Sequence, residues 1–237
     1  MVESKTFVAL IPARAGSQRL PGKNRMEIGG KSLAQIAIDS ARRKPLVSAV
    51  VVSTDDSVIA TQARERGAYV HERPRQAATS EATAADVVLS AADFLMENFG
   101  PNPNVIYLQP TSPLRSGKHV SDALELLNRL GAQKLISGCQ TKENPFKTFT
   151  LSEDNLICPF FGNERMTGNA QALPKTFRAN GAIYVFPLTD FLEKKEFPIA
   201  GSVFFEMSER ESVDVDSPAD FASIIELGGA YSTGANS

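Results

Sequence analysis

Residues 12–24 read Pro-Ala-Arg-Ala-Gly-Ser-Gln-Arg-Leu-Pro-Gly-Lys-Asn, with Arg14, Arg19 and Lys23 inside the run and Arg25 just beyond it. No acid falls within the run or between it and Glu27. Gly16 and Gly22 let the backbone approach a ligand closely and turn N–H groups toward an anion. Arg14 can fork onto phosphate oxygens, while Lys23 offers a point charge. A polyphosphate is the natural guest. The plainer alternative is a solvated basic loop, since the spacing is neither a Walker loop nor GxGxxG.

A second constellation is Asp214-Val215-Asp216. In an extended segment residues i and i+2 face the same side, so both carboxylates can converge on one hard cation such as Mg²⁺. The alternative is a pair of surface acids, one of them favouring the dipole of the helix that follows. Residues 109–115 (QPTSPLR) follow an apolar run, and their prolines stiffen a loop. Gln109, Thr111, Ser112 and Arg115 in it could bond hydroxyls or a carboxylate. Arg178 and Asn180 pair a guanidinium with an amide, although Asn180 could instead serve only a turn before Gly181. Arg73 is either a ligand contact or a structural ion-pair donor. His71 and His119 have no nucleophile or carboxylate at motif spacing and read as structural.

The elements that must position these groups follow from periodicity. Residues 6–13 (TFVALIPA) form a nearly continuous apolar run, as in a strand buried on both faces. A helix over about 32–44, stopped by Pro45, a strand over 49–54 and a helix over 57–66 closed by Gly67 come next. The stretch from Glu81 to Phe99 carries a helical stripe, with Thr79 or Ser80 as the cap. Residues 105–109 and 135–139 read as strands on either side of a helix over 120–130. This alternation predicts a parallel α/β sheet whose post-strand loops gather along one edge, where ligands bind.

Past Thr141 the texture changes. Residues 142–180 hold several prolines and aromatics with little helical period, and read as an irregular insertion with short strands, a candidate lid or dimer arm. Residues 181–186 and 202–207 return to strand patterning. Ser217-Pro218-Ala219-Asp220 starts a helix with Phe221, Ile224 and Ile225 on its apolar face. The tail from Ser232 is small and polar and is expected to fray.

Composition bounds the rest. The chain has 237 residues, a net charge of −2, 42% hydrophobic and 22% charged residues, and a pI near 5.8. It shows no basic field of the kind nucleic acid requires. Its apolar runs are too short to span a bilayer, and no apolar signal segment follows Lys5. Cys139 and Cys158 stand alone, as buried or half-buried thiols of a reduced, cytoplasmic compartment.

The basic loop, Ser53-Thr54-Asp55-Asp56, Arg73-Pro74, residues 109–115, residues 178–184 (RANGAIY) and Asp214-Val215-Asp216 occur together in one order. In that order and spacing the chain resembles the acylneuraminate cytidylyltransferase family over about residues 6–225. The resemblance implies an α/β fold, three-layer and Rossmann-like, with a mostly parallel sheet of the nucleotide-diphospho-sugar transferase kind. It implies one nucleotidyltransferase domain over 1–237, with 142–180 as an insertion that forms a homodimer arm. It implies transfer of CMP from CTP to the anomeric hydroxyl of a nine-carbon 2-keto-3-deoxy sugar acid, with release of pyrophosphate. Arg14, Lys23 and Asp216 would be catalytic, with Asp214 and Asp216 holding Mg²⁺. CTP and the sugar acid would be bound by Arg14, Ser17, Lys23, Asn24, Arg73, Gln109, Thr111, Ser112, Arg115, Arg178 and Asn180. Rival readings are a 3-deoxy-manno-octulosonate cytidylyltransferase, a DxD glycosyltransferase and a non-catalytic nucleotide-binding module.

Overall fold

The computed structural model describes residues 6–17, 19–79 and 81–229. Strand β1 (Phe7–Pro12) alternates its side chains between two cores. Phe7, Ala9 and Ile11 enter one and Val8 and Leu10 the other, which is why the run is apolar throughout. The basic loop follows, then a small hairpin, β2 (Glu27–Ile28) and β3 (Lys31–Ser32), and helix α1 (Leu33–Ala41). Ser32 caps α1 by a reciprocal box with Gln35. Strand β4 (Ala49–Thr54), helix α2 (Ser57–Glu65) and strand β5 (Tyr69–Glu72) come next.

Helix α3 (Ala84–Phe99) begins later than expected. Thr83 is its cap, boxed with Asp86, in place of Thr79 or of Ser80, which lies outside the described residues. Strand β6 (Asn104–Tyr107), helix α4 (Gly117–Arg129) and strand β7 (Leu135–Gln140) complete the regular alternation.

The inserted segment holds short strands as expected, paired as a hairpin, β8 (Phe149–Leu151) with β9 (Ile157–Pro159), and also a short helix, α5 (Asn163–Thr167). Cys158 is exposed there, contrary to the expectation of a half-buried thiol; Cys139 is buried. Strand β10 (Phe177–Pro187) is longer than its apolar half, and α6 (Leu188–Lys194), β11 (Val203–Glu206) and α7 (Pro218–Gly229) follow. The start of α7 is as expected: Ser217 Oγ accepts from Asp220 N at 3.2 Å while Asp220 Oδ2 accepts from Ser217 N at 2.8 Å. Ile224 is buried, but Ile225 faces outward at 49% exposure. The tail from Ser232 lies outside the described residues.

The seven-stranded sheet has the order β11-β7-β10-β6-β1-β4-β5. All neighbours pair parallel except β10, which runs against both β6 and β7. Helices α1, α2 and α4 cover one face, and α3 and α6 cover the other, giving three layers. The loops after β1, β4, β5 and β6 therefore share one edge. A third cluster, Leu20, Leu33, Val215 and Ile224, ties the basic loop and α1 to the segment before α7. Among the described residues no helix is long and apolar enough to cross a membrane.

Asp56 ties the edge loops to this frame. Its buried carboxylate caps α2 through Val58 N at 2.9 Å and takes the Arg25 fork at 2.6 Å on both oxygens. Burial pushes its pKa up, but Arg25 and the Ile59 and Val58 amides outweigh that and hold it below the usual carboxylate value. A depressed carboxylate stabilises the fold above its unfolded pKa, and that contribution is lost as pH falls through the folded value. Asp56→Ala should cost about 1 kcal/mol or more at neutral pH as a lost cap. Urea melts from pH 7 to pH 3 should show the gap to the parent closing as the solution is acidified.

Candidate active site

A cleft of about 300 Å³ opens at the C-terminal edge of the parallel strands. Arg14, Lys23, Asn24, Arg73, Gln109, Thr111, Asp214 and Asp216 line it together. They come from four segments of that edge: the loop after β1, the end of β5, the loop after β6 and the stretch before α7.

The basic loop is held by its own polar groups. Asn24 is 7% exposed and donates through Nδ2 to Arg14 O at 2.9 Å, so it braces the loop. Asp55 Oδ1 accepts from Ala15 N at 2.8 Å, and Thr54 Oγ1 donates to Ala13 O at 2.5 Å. Arg14 Nη1 donates to Thr79 O, drawing the segment before α3 toward the loop. Gly22 takes φ +69°, a left-handed turn open to glycine, just before Lys23.

Opposite stands the acid pair. Val215 is fully buried, so Asp214 and Asp216 emerge on the other side of the extended chain. Val215 N donates to Thr111 O at 2.8 Å, which fixes this segment against the loop after β6. Asp216 accepts from Lys23 Nζ and Arg19 Nη1, each at 2.9 Å. Lys23 foremost, then Arg19, holds its pKa down against burial. Asp214 behaves oppositely. Burial, reinforced by Asp216, raises its pKa against the pull of Thr111 and Lys23. Its Oδ1 is buried with no hydrogen-bond partner.

An unpaired buried carboxylate oxygen beside a second carboxylate is a donor pair that a hard cation would satisfy. Among the described residues no group of three or more His, Cys, Asp or Glu could cage a metal alone. Two carboxylates completed by phosphate and water are the usual protein share of a Mg²⁺ site, so the residues present fit that ion.

Arg73, at 6% exposure, lies at the end of β5. It donates Nε to Ser53 Oγ at 3.2 Å and Nη2 to Ser53 O at 2.7 Å. Burial lowers its pKa, while Tyr107 and Asp55 support its charge. His71 Nδ1 shares Ser53 Oγ at 3.0 Å, and His119 pairs with Glu211 at 3.1 Å; neither histidine lines the cleft.

Other expected contacts are not in the cleft wall. Ser17 accepts from Leu20 N at 3.4 Å within the loop. Ser112 is buried. Arg115 is buried behind the wall, donating Nη1 to Gln109 O at 2.8 Å and to Ala182 O at 3.0 Å. Arg178 is exposed on β10 opposite Cys139. Asn180 is a bulge device: its Oδ1 accepts from Ser137 Oγ at 2.6 Å and Ala182 N at 3.1 Å, where the β10–β7 register slips. Tyr107 and Val87, two cleft residues not anticipated, occupy ordinary apolar positions in β6 and α3, and no sequence signal sets them apart.

Fold and cleft together define a Rossmann-like α/β protein of the nucleotidyltransferase fold. The family model described as cytidylyltransferase matches residues 8–156, and the chain belongs to that family. It is 30% identical over 92% of its length to an N-acylneuraminate cytidylyltransferase of Streptococcus agalactiae serotype V, of which it spans about half (52%). It is 32% identical to a CMP-N,N'-diacetyllegionaminic acid synthase of Legionella pneumophila, over 91% of this chain and 93% of that one. A pseudaminic acid cytidylyltransferase of Campylobacter jejuni is 27% identical over 92% and 95% of the two chains. Among solved structures, a CMP:2-keto-3-deoxy-manno-octonic acid synthetase complexed with CTP matches with TM-score 0.69 at 18% identity, over 96% of this chain and 100% of that one. A 4-diphosphocytidyl-2C-methyl-D-erythritol synthase from Anaerococcus prevotii matches with TM-score 0.64 at 14% identity, over 98% of each chain. These two show the fold.

Gly181 sets the place of Gln109. It takes φ +72°, and a Cβ there would lie 2.5 Å from Gln109 Oε1. Gly181→Ala should cost about 1–2 kcal/mol for the left-handed backbone and displace the Gln109 amide. Denaturant melts together with the amide resonances of Gln109 check both effects; unchanged Gln109 resonances would show that the glycine serves only the backbone.

Proposed function

We propose that the chain transfers CMP from CTP to the anomeric hydroxyl of a nine-carbon 2-keto-3-deoxy sugar acid and releases pyrophosphate. What carries this reading is the convergence of Arg14 and Lys23 with the Asp214–Asp216 pair on one cleft, in a chain of the cytidylyltransferase family. The nine-carbon acids named in the Legionella, Campylobacter and Streptococcus relatives support the substrate class.

On this reading the triphosphate lies along the loop after β1. Arg14 and Lys23 carry charge toward the α-phosphate and the departing pyrophosphate, as preorganised cations do in phosphoryl transfer. Lys23 is then shared between Asp216 and the substrate. Asp214 and Asp216 hold Mg²⁺, which supplies charge neutralisation to the phosphates when bound. Arg73, Thr83 and Tyr107 line the wall next to α3, which suits the nucleoside. Gln109 and Thr111 face the remaining mouth and orient the sugar acid.

Pyrophosphate release with CTP and Mg²⁺ against a panel of such sugar acids tests the assignment. Turnover confined to CTP and one sugar supports it; silence across the panel with CTP bound overturns it. Asp214→Asn should lower turnover at least ~10²-fold with the fold intact, the scale of a lost charge-stabilising group. Near-parental rates at saturating Mg²⁺ would remove the metal role.

The arm supports a homodimer. Phe149, Leu151, Leu156, Ile157 and Phe160 are 44–64% exposed along the β8–β9 hairpin, more apolar surface than a lone hairpin tip keeps in water. A cytoplasmic place goes with a CTP-consuming reaction. Leu156→Glu with Phe160→Glu should halve the mass measured by light scattering at micromolar concentration. A monomeric parent would defeat the dimer.

A further inference from the structure

A second cavity, of about 550 Å³, shares no lining residue with the cleft. Ile28, Ile36, Pro113 and Leu114 give it apolar walls, and Ser40, Arg115 and Gly117 close one side. Helix α1, the β2–β3 hairpin and the N-terminus of α4 place these residues around it.

Arg115 is the anomaly of this region. Its side chain is 1% exposed, and no ion pair to it occurs among the described residues. Nη1 is satisfied by the Gln109 and Ala182 carbonyls. Nε reaches Ser40 Oγ only at 3.3 Å, and buried Nη2 has no partner. Burial pulls the guanidinium down to about 9, which still leaves it charged at neutral pH. A buried charge without a counterion is costly, and an anion that reaches it removes that cost.

The edge short of partners is the Nε–Nη2 edge, which binds carboxylates side-on once Ser40 Oγ gives way. Arg25 uses that same edge to hold Asp56 at 2.6 Å on both oxygens. In Arg115 it is turned toward Ser40, and Ser40 lines the cavity. The other charges nearby leave it favourable to an anion. Gly117 opens α4, whose N-terminus carries positive dipole, and a Cβ there would meet Lys44 Nζ at 2.4 Å. Asp39, the acid in the wall, is engaged by Lys31 at 2.7 Å and Arg66 at 3.5 Å.

We propose that this cavity is a second ligand site, for a small carboxylate carried on an apolar body. The carboxylate pairs with the Nε–Nη2 edge of Arg115 and the body lies on Ile28, Ile36, Pro113 and Leu114. Because Arg115 also grips Gln109 O, an occupant bears on the wall of the cleft from behind.

Titrating benzoate into the whole isotope-labelled protein and following amide resonances tests this. Saturable shifts at Ile36, Leu114 and Gly117, with Ala15 and Asn24 unmoved, are expected. Inorganic phosphate at the same concentration should leave the first group in place. Arg115→Met should weaken benzoate about tenfold or more, the loss of a charge-assisted pair. Ile36→Trp, which fills the cavity and keeps Arg115, should abolish the shifts and decides the matter if the first variant misfolds. Shifts confined to Ala15 and Asn24, equal binding by phosphate, or unchanged benzoate affinity in either variant would overturn the site.

Discussion

The burial of Val215 sets the geometry on which the cleft depends. Its side chain is fully enclosed with Leu20, Leu33 and Ile224, a burial worth roughly 1.5–3 kcal/mol. In an extended chain that anchor leaves its two neighbours no choice of side. Asp214 and Asp216 must both emerge on the far face, and Val215 N on Thr111 O sets their height against the loop after β6. Leu20 belongs to the basic loop, so the same apolar contact carries the cations toward the acids. The charges do not bring the two segments together; the hydrophobic pin does, and the charges then choose among the arrangements it permits.

Within that frame the electrostatics are uneven. Asp216 is matched by Lys23 and Arg19, and its charge is favoured. Asp214 is the more buried of the two, feels Lys23 only at a distance, forms no ion pair among the described residues, and keeps one oxygen unpaired. A pair built only for stability would share its cations more evenly. Arg73, buried beneath the opposite wall with serine atoms as partners, shows the reverse imbalance. Excess positive charge on one wall and an unmatched acid on the other suit an anion and a cation that enter together.

Much of this was legible in the chain. The run 6–13 spelled a doubly buried strand, Ser217 to Asp220 spelled a capping box, and the i, i+2 spacing of Asp214 and Asp216 put both on one face. Each of these is a local rule. What could not be read locally was which polar residues face the cleft. Asn180, Arg115 and Ser112 lie in segments full of ligand-like chemistry, yet the sheet turns them inward. Asn180 repairs a ladder that slips where reversed β10 meets β7, a consequence of strand order that no short window contains. Tyr107 and Val87 were hidden for the converse reason: they are core residues by pattern, and only the gap between β6 and α3 gives them a surface on the cleft. The cap of α3 is Thr83 because the Thr83–Asp86 box sets the first turn just ahead of Ala85, where the apolar stripe begins, and residues 79–81 carry no such partner three positions on.

The loop from Gln109 to Gly117 is where these threads meet. Its first three residues line the cleft and its last five line the second cavity, so one stiff, proline-bounded segment is a wall of both. Arg115 holds the segment from within, its Nη1 spanning the carbonyls of Gln109 and Ala182 and so joining the loop to the β10 bulge. Both bonds leave the one nitrogen Nη1, while Nε of the same planar group reaches Ser40 on α1, a third direction that a lysine ammonium on its single stem would not cover. The cost is a buried charge, of whose five N–H donors three find partners and the two on Nη2 find none. That a residue so expensive to bury sits between two cavities makes the loop a structural link between them as well as a partition.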